Sequence, residues 1–303
     1  MNPLETEIAI SALQSTGDFV VLRRLDLERD HRFTRKIIDG SEIAVCIDTE
    51  TTGLDCTGDK IIEIGMVAFE YDPATSRIIR IIDRYSGFED PGVPLSKEIT
   101  EITGISDAML SGKSFDDDQV ARLAGQANLV IAHNASFDRK FVEARFPIFK
   151  ELPWACTVTQ VNWAAERIGS RTLEFLLYKC GGYFINAHRA QDDAEGLLGL
   201  LLGDLPLTGE KIFKALSARA NEITSRICAV GSPFDKKDML KQRGYSWHDG
   251  SKGGSKAWWT TVPYEKEQEE LDFLAREIYP GGKTDSVEIS RIDAFSRFSD
   301  REA

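Results

Sequence analysis

Two acidic residues, Asp48 and Glu50, follow an apolar run and precede a glycine turn. Side chains alternate between the two faces of a strand, so we expect both carboxylates on one face and Thr49 on the other. At an effective dielectric constant of about 20, two unit charges about 4 Å apart repel by about 4 kcal/mol. Either one carboxyl group is protonated or a divalent cation lies between the two. Because oxygen ligands favour Mg2+ or Mn2+ over Zn2+, the pair indicates chemistry that depends on such a metal.

Two later segments supply further acidic side chains. A short predicted strand ends at His133, and Asp138 then lies in the first turn of a helix, where the helix dipole favours a carboxylate. Asp193 shares one helical stripe with Ala190 and three leucines, whereas Asp192 points about 100° away. An aspartate on a buried stripe is costly unless it is compensated, and we interpret a bound metal as that compensation.

The elements that must position these side chains follow an α/β pattern. Three strands separated by turn signals are predicted to form an antiparallel meander: Ile43–Ile47, Ile61–Phe69 and Arg77–Tyr85. Two more short strands are predicted at 129–132 and 154–157. Helices are predicted at about 3–15, 96–101, 116–126, 136–145, 158–168, 172–179 and 190–202. Strands followed by alternating helices and strands predict a mixed five-stranded sheet flanked by helices.

The acidic residues belong to motifs that occur together in a known superfamily. The motifs are Asp-x-Glu followed by Thr-Gly-Leu, then His-Asn-x-x-Phe-Asp, then His-x-Ala-x-x-Asp, and the segment 94–105 matches a further Glu-Ile-x-x-x-Thr-Gly-Ile pattern. In this order they resemble the DEDD exonuclease superfamily, in the branch with a histidine in the last motif. That branch includes the proofreading epsilon subunit of bacterial DNA polymerase III and RNase T. The resemblance covers roughly residues 41–204.

The resemblance implies an RNase H-like fold and hydrolysis of phosphodiester bonds from a 3′ end with two Mg2+ (or Mn2+) ions. By motif position, the metal ligands would be Asp48, Glu50, Asp138 and Asp193. His188 would be the general base that takes a proton from the attacking water. These roles agree with the chemistry of phosphodiester hydrolysis, in which two cations stabilise the attacking and leaving oxygens. An imidazole also accepts protons near neutral pH, as a general base must.

The same resemblance assigns substrate contacts. Thr51 would contact the terminal nucleotide through its backbone, Leu54 would wedge between the last two bases, and Phe137 would pack near the sugar or base. Each of these three residues could equally serve core packing, and the sequence leaves that choice open.

The predicted function is a 3′–5′ exonuclease that acts on single-stranded DNA ends and releases nucleoside 5′-monophosphates. The sequence contains no feature that reads a 2′-hydroxyl, so an exoribonuclease of the RNase T kind is an alternative. A further alternative is a proofreading or accessory subunit bound to a DNA polymerase catalytic subunit. The expected partners are therefore single-stranded DNA or RNA 3′ ends, with a polymerase as a possible protein partner.

Composition excludes several other classes of protein. The chain has 303 residues, of which 42% are hydrophobic and 28% charged, as in ordinary globular proteins. It has no run of 18 apolar residues, and its first residues lack the basic start and apolar core of a signal peptide, so no membrane association is expected. Five scattered cysteines without a CxxC pair predict reduced thiols in the cytoplasm and no structural zinc.

Residues outside the exonuclease region are predicted to form smaller units. We expect an N-terminal extension with a helix and a strand (Phe19–Leu25) at 1–40, the exonuclease domain at 41–205, a connecting helix at 206–225, a small Trp-rich basic α+β domain at 226–280 and a mobile tail at 281–303. In the small domain, tryptophans 247, 258 and 259 lie among Lys236, Lys237, Lys241, Arg243, Lys252 and Lys256. Such rings either form the core of a small domain or contact nucleic acid.

The net charge of −12 argues against binding of nucleic acid by the chain as a whole. That argument is weak here, because a site for two cations must itself be acidic.

Overall fold

The computed structural model describes residues 2–251 and 254–302, so Lys252 of the Trp-rich segment lies outside the described residues. The strands are β1 (Arg23–Arg24), β2 (Glu42–Thr51), β3 (Ile61–Asp72), β4 (Arg77–Phe88), β5 (Leu129–Ala132), β6 (Trp154–Cys156), β7 (Tyr183–Phe184), β8 (Thr224–Val230), β9 (Ser246–His248), β10 (Ala257–Pro263) and β11 (Glu288–Ile292). The helices are α1 (Pro3–Ser15), α2 (Lys97–Thr103), α3 (Asp107–Leu110), α4 (Asp117–Ala124), α5 (Ala135–Arg145), α6 (Thr157–Gln160), α7 (Leu173–Gly181), α8 (Ala190–Leu201), α9 (Ile212–Asn221), α10 (Lys237–Gln242) and α11 (Glu267–Phe273), with a π-helical turn at Leu274–Ile278. Short 3-10 turns occupy Pro147–Glu151, Phe234–Lys236, Tyr264–Lys266, Pro280–Gly282 and Asp300–Glu302.

The large sheet has the strand order β4-β3-β2-β5-β6. Strand β3 pairs antiparallel with β2 and with β4, whereas β5 pairs parallel with β2 and with β6. The predicted mixed five-stranded sheet and its antiparallel meander are therefore confirmed. Strands β3 and β4 continue to Asp72 and Phe88, which is further than the sequence predicted.

Side chains of β2 enter two hydrophobic cores, one on each face of the large sheet. Ala44 and Cys46 pack in the core that contains residues of α7, α8 and α9. Val45 and Ile47 pack in the core that contains residues of α4 and α5. All four side chains are fully buried, so a register shift of one residue would move each pair into the opposite core and carry Asp48 and Glu50 to the wrong face. This alternation fixes which helix each residue at the end of β2 faces.

A second, smaller sheet follows the exonuclease region and confirms the predicted C-terminal α+β domain. Its strand order is β11-β8-β10-β9, and all of its pairings are antiparallel. Its core is formed mainly by residues of β8, α10, α11 and the π-helical turn, namely Ile227, Ala229, Leu240, Tyr245, Phe273, Leu274, Ile278 and Tyr279. The sheet starts at Thr224, inside the segment that was assigned to the connecting helix, because α9 already ends at Asn221.

The expectation of a mobile tail at 281–303 is wrong for most of that segment. Strand β11 pairs along its whole length with β8. The backbone carbonyls of Ala294, Phe295 and Arg297 accept hydrogen bonds from the buried guanidinium of Arg139. The alternation of charged and small residues, which indicated mobility, instead accompanies an edge strand and a strap that lies against α5.

Two predicted elements are shorter than expected. The predicted strand at 19–25 is reduced to β1, which pairs parallel with β7. The predicted helix at 158–168 ends at Gln160, and the chain then turns so that the indole of Trp163 donates to the carbonyl of Thr157. Among the described helices, none combines the length and apolarity that crossing a membrane requires.

Candidate metal centre

Three carboxylates from two elements meet at the end of β2. One oxygen of Asp48, one of Glu50 and one of Asp193 all lie within 4.8 Å of one another, and all three side chains are partly exposed. Asp48 and Glu50 lie on the face of β2 that continues from Ala44 and Cys46, which is the face covered by α8. Asp192 is not part of this group among the described residues, as the helical stripe predicted.

A glycine permits the close approach that brings α8 to β2. Gly65 of β3 is paired with Asp48 of β2. A Cβ atom at Gly65 would lie 2.2 Å from the backbone oxygen of Ala190, the first residue of α8. Any side chain at this position would therefore push the start of α8, and Asp193 with it, away from the strand. The Asp193 carboxylate also accepts hydrogen bonds from the backbone N–H groups of His188 (2.8 Å) and Arg189 (3.1 Å).

Asp138 approaches the same end of β2 from the opposite face of the sheet. It lies in the first turn of α5 and is 3% exposed. Thr49, whose side chain points away from Asp48, donates its hydroxyl to Oδ1 of Asp138 at 2.9 Å. Asp138 is outside the three-carboxylate group, but its charge contributes to raising the pKa of Asp48.

The electrostatics of these carboxyl groups favour a cation. Burial, followed by the charges of neighbouring carboxylates, raises the pKa of Glu50 to about 7. Burial raises the pKa of Asp193 to about 6, and that of Asp138 to about 7 although the Thr49 hydrogen bond lowers it. The pKa of Asp48 is raised well above its ordinary value by burial and then by the Asp138 charge. A divalent cation would lower these pKa values again because it favours the ionised form of every carboxylate near it. The oxygen-only donor set therefore fits Mg2+ or Mn2+.

His188 lies on the loop that enters α8. Its backbone has a φ of +67°, a left-handed conformation that is uncommon for residues other than glycine. The side chain is exposed, and within the described parts of the chain the imidazole forms no hydrogen bond. The backbone bond to Asp193 thus fixes the position of His188, while its ring stays available to other groups.

A fifth acidic side chain beside the centre, Glu63, was not singled out from the sequence. Glu63 is paired with Glu50 across β2 and β3 and is fully buried. Its carboxylate accepts hydrogen bonds from the Arg189 guanidinium at 3.0–3.2 Å and from the Ala190 N–H at 3.3 Å. The available signal was an acidic residue inside the apolar run of β3, which requires a partner when buried.

The three predicted substrate contacts have different surroundings. Leu54 is 86% exposed, so it does not serve core packing in this structure. Thr51 is buried and donates its hydroxyl to the backbone oxygen of Gly53 at 2.6 Å. Phe137 is half-buried and packs against Phe141, with ring centroids 4.9 Å apart. The structure leaves contact with a nucleotide open for Thr51 and Phe137 and gives Leu54 the freedom to make one.

Comparison with known proteins identifies the family. The RNase T family model, described as exonuclease, matches residues 45–201, which is just over half of the chain and includes Asp48, Glu50, Asp138, His188 and Asp193. The chain belongs to this exonuclease family. The resemblance to DEDD exonucleases and the RNase H-like fold are thereby confirmed.

Two curated relatives of this exonuclease are bacterial DNA polymerase III proteins. It is 30% identical over 169 residues to a PolC-type DNA polymerase III of Thermotoga maritima, covering 51% of this chain but only 11% of that protein. It is 32% identical over 155 residues to the DNA polymerase III epsilon subunit of Treponema pallidum, covering 48% of this chain and 69% of that protein. The chain thus spans about a tenth of the length of the PolC-type relative.

A solved structure supports the fold of this exonuclease. The zinc-bound complex of Escherichia coli exonuclease I with single-stranded DNA aligns with a TM-score of 0.50 at 14% identity, over 73% of this chain and 63% of that one. At this identity the likeness concerns the fold alone.

Proposed function

We propose that this exonuclease removes nucleotides one at a time from the 3′ end of single-stranded DNA, by hydrolysis that depends on two divalent cations. The observation that carries the proposal is the convergence of Asp48, Glu50 and Asp193, with Asp138 adjacent, at one end of β2. Support also comes from the match to the exonuclease family and from relatives that are DNA polymerase III components.

The chain's own side chains have distinct roles in this proposal. Asp48, Glu50 and Asp193 would hold one ion, and Asp138, beside Asp48, is available to a second. Cations held in this way would supply stabilisation of the charge on the attacking and leaving oxygens of the phosphodiester. Thr49 holds the Asp138 carboxylate in place through its hydroxyl. The backbone N–H groups of His188 and Arg189 do the same for Asp193.

His188 is proposed as the general base. Its exposed imidazole forms no hydrogen bond to the described residues, its charge acts on the Asp193 carboxyl group, and its backbone is tied to that proposed metal ligand. It can therefore take a proton from the attacking water at a ring nitrogen and pass it to solvent. Positioned general bases contribute about 100- to 10,000-fold in rate.

The exposed side chain of Leu54 is proposed to insert between the two terminal bases, with the Thr51 backbone and the Phe137 ring against the last nucleotide. Leu54 suits this role since its side chain is 86% exposed at the turn that follows the metal ligands. Single-stranded ends offer unpaired terminal bases to such a wedge, whereas a fully paired duplex end does not.

The test uses matched DNA and RNA oligomers that carry a 5′ label, so that shortening from the 3′ end is visible. With Mg2+, we expect a ladder of shortened DNA products and release of nucleoside 5′-monophosphates. The His188→Ala variant should lose about 100-fold or more in turnover, whereas His31→Ala, at an exposed histidine of the N-terminal extension, should retain it. Trimming of RNA alone would remove the DNA assignment, and full turnover by His188→Ala would remove the base assignment.

Association with a DNA polymerase catalytic subunit is a second candidate function. It is favoured by the similarity to PolC-type polymerase and to an epsilon subunit. Gel filtration of a mixture with a polymerase III catalytic subunit tests it. Co-elution at micromolar concentration supports the association, and separate elution contradicts it.

A further inference from the structure

The small C-terminal domain exposes aromatic rings that its core does not need. Phe234 is 80% exposed and Trp247 is 51% exposed. Trp258 packs against the domain core, and Trp247 lies over it with ring centroids 5.5 Å apart. Trp247 and Phe234 are absent from the core cluster, so of the two alternatives drawn from the sequence, core packing does not account for Trp247.

Lysine side chains lie among these rings. The Lys237 ammonium is 4.3 Å from the Phe234 ring centroid, and the Lys241 ammonium is 5.7 Å from that of Trp258. The two lysines are four residues apart in α10 and therefore share one side of that helix. We call Phe234, Lys237, Lys241, Trp247 and Trp258 the aromatic-lysine surface.

The charges of this surface are available to an external partner. In the described part of the chain, no carboxylate forms an ion pair with Lys237 or Lys241. Arg243, in contrast, is occupied by Glu270 at 3.0 Å and by Glu269 at 3.5 Å. Asp235 and Asp238 lie in the same segment, so the surface is only modestly basic and its rings must supply much of any binding.

We propose that the aromatic-lysine surface binds single-stranded nucleic acid, with bases stacked on Phe234 and Trp247 and phosphates at Lys237 and Lys241. Exposed rings suit unpaired bases, and ammonium groups beside them suit the phosphates that link those bases. A duplex would hide its base faces from these rings. The proposal extends the proposed function, because the strand held here would be the substrate strand, but its test requires no hydrolysis.

The test measures binding of a fluorescein-labelled oligo(dT) of about 30 nucleotides to the full chain by anisotropy, in EDTA so that no metal-dependent cleavage occurs. We expect Phe234→Ala and Trp247→Ala each to weaken binding about 10-fold, corresponding to the stacking of about one base. Phe19→Ala, at a ring that is 53% exposed in the N-terminal extension, is the matched control and should bind as the unchanged chain does. Both substituted rings are exposed, and circular dichroism verifies that the variants are folded.

Charge is tested separately through the salt dependence of the same binding. The double change Lys237→Ala and Lys241→Ala should reduce the slope of log K against log salt by about 1.4, since each phosphate contact to a single strand contributes about 0.7. Lys150→Ala, at an exposed lysine on the exonuclease domain, should leave the slope unchanged. A parallel oligo(U) series distinguishes DNA from RNA as the strand.

The outcomes separate this proposal from its rivals and from the proposed function. Unchanged oligonucleotide binding by Phe234→Ala and Trp247→Ala overturns the proposal, whatever the nuclease assay shows. Loss in these variants of binding to phosphatidylserine vesicles, with oligonucleotide binding intact, also overturns it and assigns the surface to membranes. Failure of the unchanged chain to hydrolyse any 3′ end, with ring-dependent binding present, supports this proposal while contradicting the proposed function.

Discussion

The Arg189 guanidinium donates to both carboxylate oxygens of Glu63, at 3.0 to 3.2 Å. Arg189 directly follows His188 in the chain. Glu63 is fully buried on β3, whereas Arg189 precedes α8. The ion pair therefore ties the loop that carries His188 to the strand that pairs with the proposed metal ligands Asp48 and Glu50. A base that must approach a water within hydrogen-bond distance depends on such anchoring.

Loss of this ion pair should slow catalysis more than it weakens substrate binding. We expect Glu63→Gln and Arg189→Ala each to lower kcat about 10-fold or more with a small change in KM, because the base is misplaced while the binding residues remain. Steady-state kinetics on single-stranded DNA measures both constants. Arg84→Ala is the control, since Arg84 pairs with Glu195 of the same α8 helix and not with the loop that carries His188. Wild-type kcat in both site variants would contradict a positioning role for the pair.

The raised pKa values predict that Mg2+ stabilises the protein more at high pH than at low pH. The pKa values of Glu50, Asp138 and Asp193 are about 7, 7 and 6 in the folded chain, against about 4 in an unfolded one. Between those values the folded state binds more protons than the unfolded state, so the free energy of unfolding from these groups falls as pH rises. Their contribution is complete below about pH 4 and lost as pH passes through about 6 to 7.

The measurement is the melting temperature with Mg2+ minus the melting temperature with EDTA. This difference should be several degrees at about pH 8 and much smaller at about pH 5, where protonated carboxyl groups no longer bind the cation. The difference isolates the site from other titrating groups, and Asp193→Asn should reduce it at the higher pH. Equal Mg2+ stabilisation at both pH values would show that these carboxyl groups do not bind the metal.

Thr49 should set the pH at which Asp138 becomes ionised. Its hydroxyl lowers the pKa of the Asp138 carboxyl by donating to the ionised form. Thr49→Val keeps the shape but removes the donor, so that pKa should rise further and the acidic limb of the activity profile should move to higher pH. Rate against pH on single-stranded DNA shows the shift. Thr103→Val, at a buried threonine of α2 that bonds the Ile99 carbonyl, is the control and should leave the limb in place.

Arg139 should be a major determinant of stability. It is fully buried, donates to the carboxylate of Glu143 and also holds the carbonyls of residues 294, 295 and 297. Arg139→Met removes a buried partner of Glu143 and one donor from each of these carbonyls, although Trp154 still donates to residue 294 and Arg301 to residue 295. Because one partner of a buried ion pair is lost, the free energy of unfolding should fall by about 3–5 kcal/mol. The neighbouring Lys140→Ala removes an ion pair to Asp300 that is largely exposed and should cost less than about 1 kcal/mol. Denaturant unfolding compares the two, and similar losses would contradict the role given to Arg139.

Features of the site that depend on local periodicity could be predicted from the sequence. The two-residue repeat of β2 placed Asp48 and Glu50 together, and the stripe along α8 selected Asp193 over Asp192. Both patterns are set by backbone geometry within a few residues, so they can be recognised without knowledge of the fold.

Features that depend on distant partners could not be predicted. The role of Glu63 depends on Arg189, 126 residues away in the chain. The ordering of the C-terminal strap depends on Arg139 of α5, since the strap itself carries no strong strand or helix signal. Likewise, the exposed side chain of Trp247 became apparent only when the small sheet showed which rings its core accommodates.

The central claim is that carboxylates converging at the end of β2 bind the cations that hydrolysis requires. The most direct test is the rate of 3′ nucleotide release from single-stranded DNA as a function of Mn2+ concentration, for the unchanged chain, Asp193→Asn and Asp192→Asn. We predict that Asp193→Asn loses at least about 100-fold in rate and needs more Mn2+, while Asp192→Asn stays close to the unchanged chain. The opposite order, or metal-independent hydrolysis by all three proteins, would contradict the account.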